Sequence, residues 1–386
     1  MIDFEQYIKQ NEPDKQERAY TWQTAIGLQA VDGLKTSDYL KNTAYKHIEG
    51  DITIDEVCEL IKSYYQSKDN REANDDDRHE ADIVAVNITK ILSTRTLDFS
   101  TKGYLSLHRR IFEGVFKFAG NIRNYDITKK EWVLDGDTVN YLNWEDLRRA
   151  IDYDIEQERN FSYARLSSDE IIKHITRFVS NLWQIHAFGE GNTRATAVFT
   201  IQYLRSIGFD VSNNLFADHS WYFRNALVRA NYKNVQKGIN YTPIYLERFF
   251  RNLLLGDRWD LRNRYLHINA SEKWSEQPNL ANTNIGQAQD KHRTSTGQAQ
   301  NVVYIVSPNI ERLVLTIGKN QWSTKTMMEQ MHLKGRDNFL NLYLNPAIDS
   351  GFITLLYPDK PRHSRQKYFL TAKGLALLDA FLGGKR

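Results

Sequence analysis

Residues 186–194 read HAFGEGNTR, and the two helices that this stretch separates decide the fold. Upstream, Ser167 and Glu170 stand at capping-box spacing. Ile171, Ile175, Phe178, Leu182 and Ile185 then recur every three or four residues, which predicts a buried helix ending at His186. Downstream, Thr193 to Ile207 is again helical in pattern with Gly208 as terminator, so Glu190-Gly191-Asn192 open a second helix. A loop so placed offers unpaired backbone N–H groups at a helix N-terminus, where phosphate is favoured.

Each side chain in the loop suits phosphate chemistry. A neutral imidazole, with an ordinary pKa of about 6.5, can take a proton from an attacking hydroxyl, which fits His186. Glu190 is a hard oxygen ligand for Mg2+ carried by nucleotide phosphates. Arg194 offers a planar fork of donors, and Phe188 is a wedge that fixes the loop in the core. Taken singly, each has a plainer role: a histidine cap, a Glu-Gly-Asn turn, a surface arginine. In combination they resemble the signature of the Fic family, His-Pro-Phe-x-(Asp/Glu)-Gly-Asn-(Gly/Lys)-Arg-x-x-Arg.

The resemblance implies a protein adenylyltransferase that moves AMP from ATP, with Mg2+, to a Ser, Thr or Tyr hydroxyl of a target protein or of the enzyme itself. A minority of the family transfers other phosphate-containing groups. It assigns His186 as general base, Glu190 as Mg2+ ligand, and Gly191, Asn192, Thr193 and Arg194 as the ATP phosphate cradle. Three positions depart from the pattern: Ala187 replaces Pro, Thr193 stands where Gly or Lys is usual, and Ala197 replaces the second Arg.

The likeness extends over residues 80–255. LSLHRRIFEGVFKFAGNIRNYDI (105–127) resembles the family's core helix and the turn into its flap, a β-hairpin that holds the target segment. Trp132, Val133 and Leu134 followed by Asp135-Gly136-Asp137 predict that hairpin, with or without a substrate role. FRNALVRAN (223–231) resembles the segment lining the nucleoside pocket, which makes Tyr222, Phe223 and Asn231 candidates for ATP contact; core packing is the plainer role of such aromatics.

Residues 1–67 predict three short helices, one containing Trp22, Ala25, Ile26 and Gln29 and stopping near Asp32-Gly33, one running from Thr36-Ser37 to His47, and one from Thr53 to Tyr65. Asp69 to Glu80 reads as a polar, acidic connector. The opening resembles the small antitoxins that accompany some Fic toxins, whose inhibitory helix carries (Ser/Thr)-x-x-x-Glu-(Gly/Asn). Here that motif is degenerate, with Leu28 and Asp32 at the two key positions, so Asp32 is either an inhibitory acid or a plain helix stop.

The fold expected is mostly α: a Fic-type helical core (80–268) with a β-hairpin flap, a flexible linker (269–300) rich in Asn, Gln, Ser, Thr and Gly, and a winged helix-turn-helix domain (301–386). In the last, helices around Ile310–Ile317, Ser323–Met331 and Asp337–Ser350 precede strands at Phe352–Tyr357 and Lys367–Leu370. Lys334, Arg336, Lys360, Arg362, Arg365 and Lys367 could meet DNA phosphates, although such domains often contact proteins instead. A nucleotide-sensing DNA-binding regulator is therefore the rival function.

Composition sets wide bounds. A chain of 386 residues with formal charge +3 has no global affinity for nucleic acid, and its single Cys58 suits a reducing cytoplasm. No run is apolar enough to span a bilayer, no membrane partner is expected, and the oligomeric state is open. No Cys/His cluster has zinc spacing, so any metal should be oxygen-bound.

Overall fold

The structure is a computed structural model that describes Phe4 and residues 12–67, 75–94, 96–163, 166–209, 211, 214–270, 308–357, 363, 366–371, 373–375 and 377–378. From residue 271 onward the expected linker lies outside them. The fold is mostly α-helical, and among the described residues the only β-ladder pairs two three-residue strands near the C-terminus.

Three helices open the chain: α1 (Pro13–Gly27), α2 (Asp38–Glu49) and α3 (Ile54–Gln66). Proline at the first turn starts α1, whose last turn tightens into a 3₁₀ segment, Leu28–Asp32, ended by Gly33 at φ 75°. Ser37 caps α2 and a Thr53/Glu56 capping box starts α3. These helices bury their apolar faces on α4 (Asp75–Leu92), with α1 and α3 both packed against it. Helix α4 begins inside the stretch expected to be a connector, because Ala81, Val84, Ala85, Ile88 and Ile91 supply a buried face that carries its acidic first turn into helix. Asp82 ties the module down: its carboxylate accepts from the Ser37 N–H (2.8 Å), the Ser37 hydroxyl (2.5 Å) and the Tyr65 hydroxyl (2.8 Å).

The core continues through α5 (Thr101–Phe112), α6 (Leu147–Arg159), α7 (Ser168–Ile185), α8 (Asn192–Ser206), the single turn α9 (Leu215–Asp218), α10 (Ser220–Asn231) and α11 (Ile244–Leu254). The expected Ser167/Glu170 capping box is present at the start of α7, whose end at Ile185 hands the chain to His186. All of the first thirteen residues of α8 are buried, so this helix forms the centre of the domain and its N-terminus is fixed by packing on every side.

The C-terminal part runs α12 (Pro308–Ile317), α13 (Thr324–Gln330) and α14 (Arg336–Phe339), which passes through a π-helical stretch, Leu340–Leu344, into α15 (Asn345–Asp349). Strands β1 (Ile353–Leu355) and β2 (Tyr368–Leu370) pair antiparallel with Ile353 opposite Leu370. Of the basic residues singled out here, Lys360, Arg362 and Arg365 lie outside the described residues.

The expected flap hairpin is absent. Trp132–Leu134 forms a 3₁₀ turn, Asp135 is left-handed at φ 56°, and the Glu131 and Gly136 backbones close the loop on themselves. Val133 and Leu134 are both buried, whereas a hairpin with one face in solvent would expose one of two consecutive residues. Val133 gives its carbonyl to the Ile268 N–H (2.9 Å), and the half-exposed Trp132 ring packs edge-on to His267.

Burial also sets a pH dependence. His47 accepts from Trp22 Nε1 (3.0 Å), and its pKa is pushed down to about 4 by burial and by the neighbouring Arg18. His108 is pushed down to about 4 by burial as well. An unfolded histidine binds a proton near pH 6.5, so between there and pH 4 the unfolded chain holds more protons than the folded one. The thermal midpoint should therefore fall as pH drops through this window, and His47→Gln should flatten the slope measured by calorimetry.

Candidate functional site

The Fic-like loop hangs between the C-terminus of α7 and the N-terminus of α8. His186 caps α7 in the left-handed region (φ 51°, ψ 56°), a conformation that costs a non-glycine residue on the order of 1 kcal/mol and must be held by its neighbours. Arg123 does the holding: its Nε donates to the His186 carbonyl (2.8 Å), its N–H to the Ala187 carbonyl (2.9 Å), and its two remaining nitrogens to the Tyr125 and Leu142 carbonyls. The His186 ring lies against Tyr141 (4.0 Å between centroids) and perpendicular to Trp183. It is 3 % exposed, and neither ring nitrogen has a hydrogen-bond partner among the described residues. Burial, then the Lys129 ammonium, holds its pKa well below the ordinary value, so the imidazole is neutral with an available lone pair.

Phe188 is the expected wedge, stacked on His108 at 3.6 Å. His108 accepts the Gly120 N–H at Nδ1 (2.9 Å), which assigns the proton to Nε2, and that nitrogen donates to the Glu190 carbonyl (3.0 Å). Gly191 starts α8 at φ 77°, and a Cβ there would lie 2.2 Å from the Phe112 ring, so both the backbone conformation and the space require glycine. Glu190 projects a side chain 41 % exposed, with Lys129 Nζ 3.1 Å from both carboxylate oxygens and the Gly191 N–H 3.0 Å from one. Burial opposes its charge, but Lys129 and the Gly191 N–H outweigh it and leave the pKa below the ordinary carboxylate value.

Two members of the expected phosphate cradle are committed elsewhere. Asn192 accepts the Phe188 N–H (2.9 Å) and donates to the Phe188 carbonyl (2.7 Å), so its amide staples the loop with one of its two N–H donors. Thr193 accepts from Trp183 Nε1 (2.9 Å). Their backbone N–H groups, in the first turn of a fifteen-residue helix, remain the anion-binding element.

Arg194 is 1 % exposed and fully engaged. Its Nη2 donates to Glu80 (2.7 Å), its Nη1 to Gln29 (3.1 Å), its Nε lies 2.7 Å from Asp32 Oδ2, and its guanidinium sits 4.8 Å over the Phe112 ring. The Asp32 contact is a charge pair whose N–H is not aligned for a hydrogen bond. Ala197 is fully buried, so a second arginine at that position would project into sealed core.

The candidates on α10 are core residues. Tyr222 donates to the Tyr245 carbonyl (3.2 Å), Phe223 packs among Phe216, Phe249 and Phe250, and Asn231 donates to the Ser180 and Leu227 carbonyls. The next positions around the helix, Trp221 and Arg224, face the site instead and line a cleft with Asp32, Lys129, Glu190 and Arg194. Arg224 lies over the Trp221 ring and pairs with the buried Glu131 (3.0 Å). Glu80, Lys129, Trp221 and Arg224 are thus site residues that sequence reasoning missed. The helical spacing from Ala81 to Ile91 was the available signal for Glu80; a lysine in an irregular loop gave none for Lys129.

Among the described residues no group of three or more His, Cys, Asp or Glu could hold a metal ion. A single exposed carboxylate fits Mg2+ that arrives with its phosphate ligands, the usual way this ion is bound, and does not fit a resident structural ion.

Residues 98–204 match the model of the Fic/DOC family, and residues 308–371 match that of the filamentation induced by cAMP protein Fic-like, C-terminal domain. The centre of the chain is thus similar to the Fic/DOC family, and the segment that follows is similar to the Fic-like C-terminal domain. A solved structure of a Fic family protein from Desulfovibrio desulfuricans G20 is 16 % identical over 96 % of this chain and 90 % of that one, with a TM-score of 0.39. No curated protein matches.

Gly191→Ala should destabilise the domain by about 2 kcal/mol or more through the forced φ and the Phe112 clash, read as a lower midpoint in urea unfolding.

Proposed function

We propose that this chain is a protein adenylyltransferase that moves AMP from ATP to a Ser, Thr or Tyr hydroxyl of a target protein or of itself. The observation that carries the reading is the buried, neutral His186 with both ring nitrogens unpartnered, set beside Glu190 and the N-terminus of α8. A ring nitrogen of His186 takes the proton as the hydroxyl oxygen attacks the α-phosphorus, and the bond from that phosphorus to the pyrophosphate breaks. Developing negative charge meets the backbone N–H groups of α8 and the two cations of the cleft, Lys129 and Arg224, which stand in for the arginine missing at 197. Mg2+ on Glu190 would neutralise the same charge when bound with nucleotide.

The arrangement supports a held-off resting state. Arg194 cannot offer its fork to a phosphate while Asp32, Glu80 and Gln29 occupy it, and the two carboxylates repel a triphosphate. For the rival reading, the helix expected to enter a DNA groove has Asn338 and Asn341 donating to the Ile207 and Tyr163 carbonyls of the Fic core, so that face supports a contact within the protein. Among the described residues no helix is long and apolar enough to cross a membrane.

Incubation with labelled ATP, GTP, UTP and CTP, followed by mass spectrometry of the modified residue, tests the reaction and its donor. His186→Ala should keep nucleotide binding and lose transfer by on the order of 10² to 10⁴-fold; near-normal labelling by a folded variant would remove His186 from the mechanism.

Asp32→Asn and Glu80→Gln each retain an oxygen for Arg194 while removing a negative charge. Each should raise self-labelling, on the order of fivefold when combined. Unchanged labelling in folded variants would leave the clamp a purely structural contact.

A further inference from the structure

A second cavity, of about 640 Å³, lies where the N-terminal module, the Fic core and the C-terminal part meet, well within the size range of small-molecule sites. Its walls are fixed by backbone contact. A Cβ on Gly208, just past α8, would lie 2.4 Å from the Gly335 nitrogen, and one on Gly335 would lie 2.4 Å from the Ile207 carbonyl; Asn338 donates to that same oxygen. The lining divides in two. Tyr20, Leu97, Phe209, Val211 and Leu333 give an apolar wall. Among the described residues the charged and titratable part of the lining is Arg205, Arg312, Lys334, His332 and Glu17. Arg205 and Arg312 are held in place by the Leu92 and Met331 carbonyls (3.0 and 2.9 Å).

We propose that this cavity binds a small organic anion with a flat apolar body, and that its occupancy is felt at the Arg194 clamp. The chemistry of the lining sets the ligand class: apolar side chains reward a ring system, and an excess of cations among the described residues of a partly enclosed space rewards one carboxylate, sulfonate or phosphate on it. The coupling follows from two helices. Helix α1 lines the cavity through Glu17 and Tyr20 and ends in the 3₁₀ segment that carries Gln29 and Asp32. Helix α8 lines it through Arg205 and Ser206 and starts at the Fic loop, with Arg194 about 16 Å away along the axis. The two partners of the clamp are thus the far ends of two rods that share one cavity, and a ligand wedged between the near ends biases their spacing. The regulatory consequence rests on the transferase reading; binding at the cavity does not.

The test uses the full chain and two probes, 8-anilinonaphthalene-1-sulfonate and its uncharged relative N-phenyl-1-naphthylamine, titrated by fluorescence. The sulfonate should saturate one site per chain and bind at least about tenfold more tightly than the neutral probe. Lys334→Glu and Thr96→Glu place acids at two exposed positions of the lining, and each should weaken the sulfonate about tenfold or more while near-ultraviolet circular dichroism stays native. Hydrogen exchange of residues 28–33 should change on sulfonate binding in wild type and not in the variants. Non-saturable binding, equal affinity for the two probes, or full affinity in both variants would overturn the site. Site-specific binding with no change at residues 28–33 would overturn the coupling, whatever the outcome of any transfer assay.

Discussion

Burying a guanidinium at 1 % exposure is costly unless it is paired, and the placing of Arg194 by the Fic loop makes the rest of the structure answer to that constraint. The partners come from two directions. Glu80 is supplied by the first turn of α4, whereas Gln29 and Asp32 come from the 3₁₀ segment after α1. Removing either acid leaves a buried charge under-compensated, so the N-terminal module is electrostatically part of the catalytic domain. The module is also bolted to the same helix from behind, since Asp82, two residues past Glu80, takes three donors from Ser37 and Tyr65.

The cleft inherits its character from this arrangement. With Arg194 engaged, the cations left to line it are Lys129 and Arg224, each already opposed by one carboxylate, Glu190 and Glu131. Charge is balanced pair by pair, and a triphosphate would have to exchange partners with these pairs instead of filling an electropositive hole. His186 gains from the same surroundings, because Lys129 adds to burial in keeping its imidazole neutral. The residue that would act as base and the residue that would meet phosphate are therefore coupled through one lysine that belongs to neither the signature loop nor a regular element.

What the sequence made legible were features with short-range causes. The Ser167/Glu170 capping box, the helix start at Thr53, the stop at Gly33 and the start of α8 at Gly191 are each determined within four residues, and each stands where the pattern puts it. The failures had causes farther away. Val133 and Leu134 look like strand residues, yet both are buried in a 3₁₀ turn whose Val133 carbonyl is taken by the distant Ile268 N–H, and the Asn192 amide staples the loop to Phe188, which its place in the motif does not report. On α10 the aromatic candidates lay on the inward face; a rotation by one position, to Trp221, separates core from cleft, and no local signal reports which face the cleft takes. Glu80 was hidden by composition, since an acidic run hides the helix that begins within it.

The shorter acid at position 32 is explained by the winding of the segment that carries it. A 3₁₀ helix rises about 2.0 Å per residue against about 1.5 Å in an α-helix, and residues three apart eclipse. Over the five residues Leu28–Asp32 this advances the chain by about 2.5 Å more than α winding would, which exceeds the length of the one methylene that separates Asp from Glu. The same winding sets Gln29 and Asp32 on one side of the segment, where an amide and a carboxylate meet neighbouring nitrogens of a single guanidinium. Reach to Arg194 is thus a backbone property here, and a glutamate at 32 would have to fold its extra methylene away from a pair already at 2.7 Å.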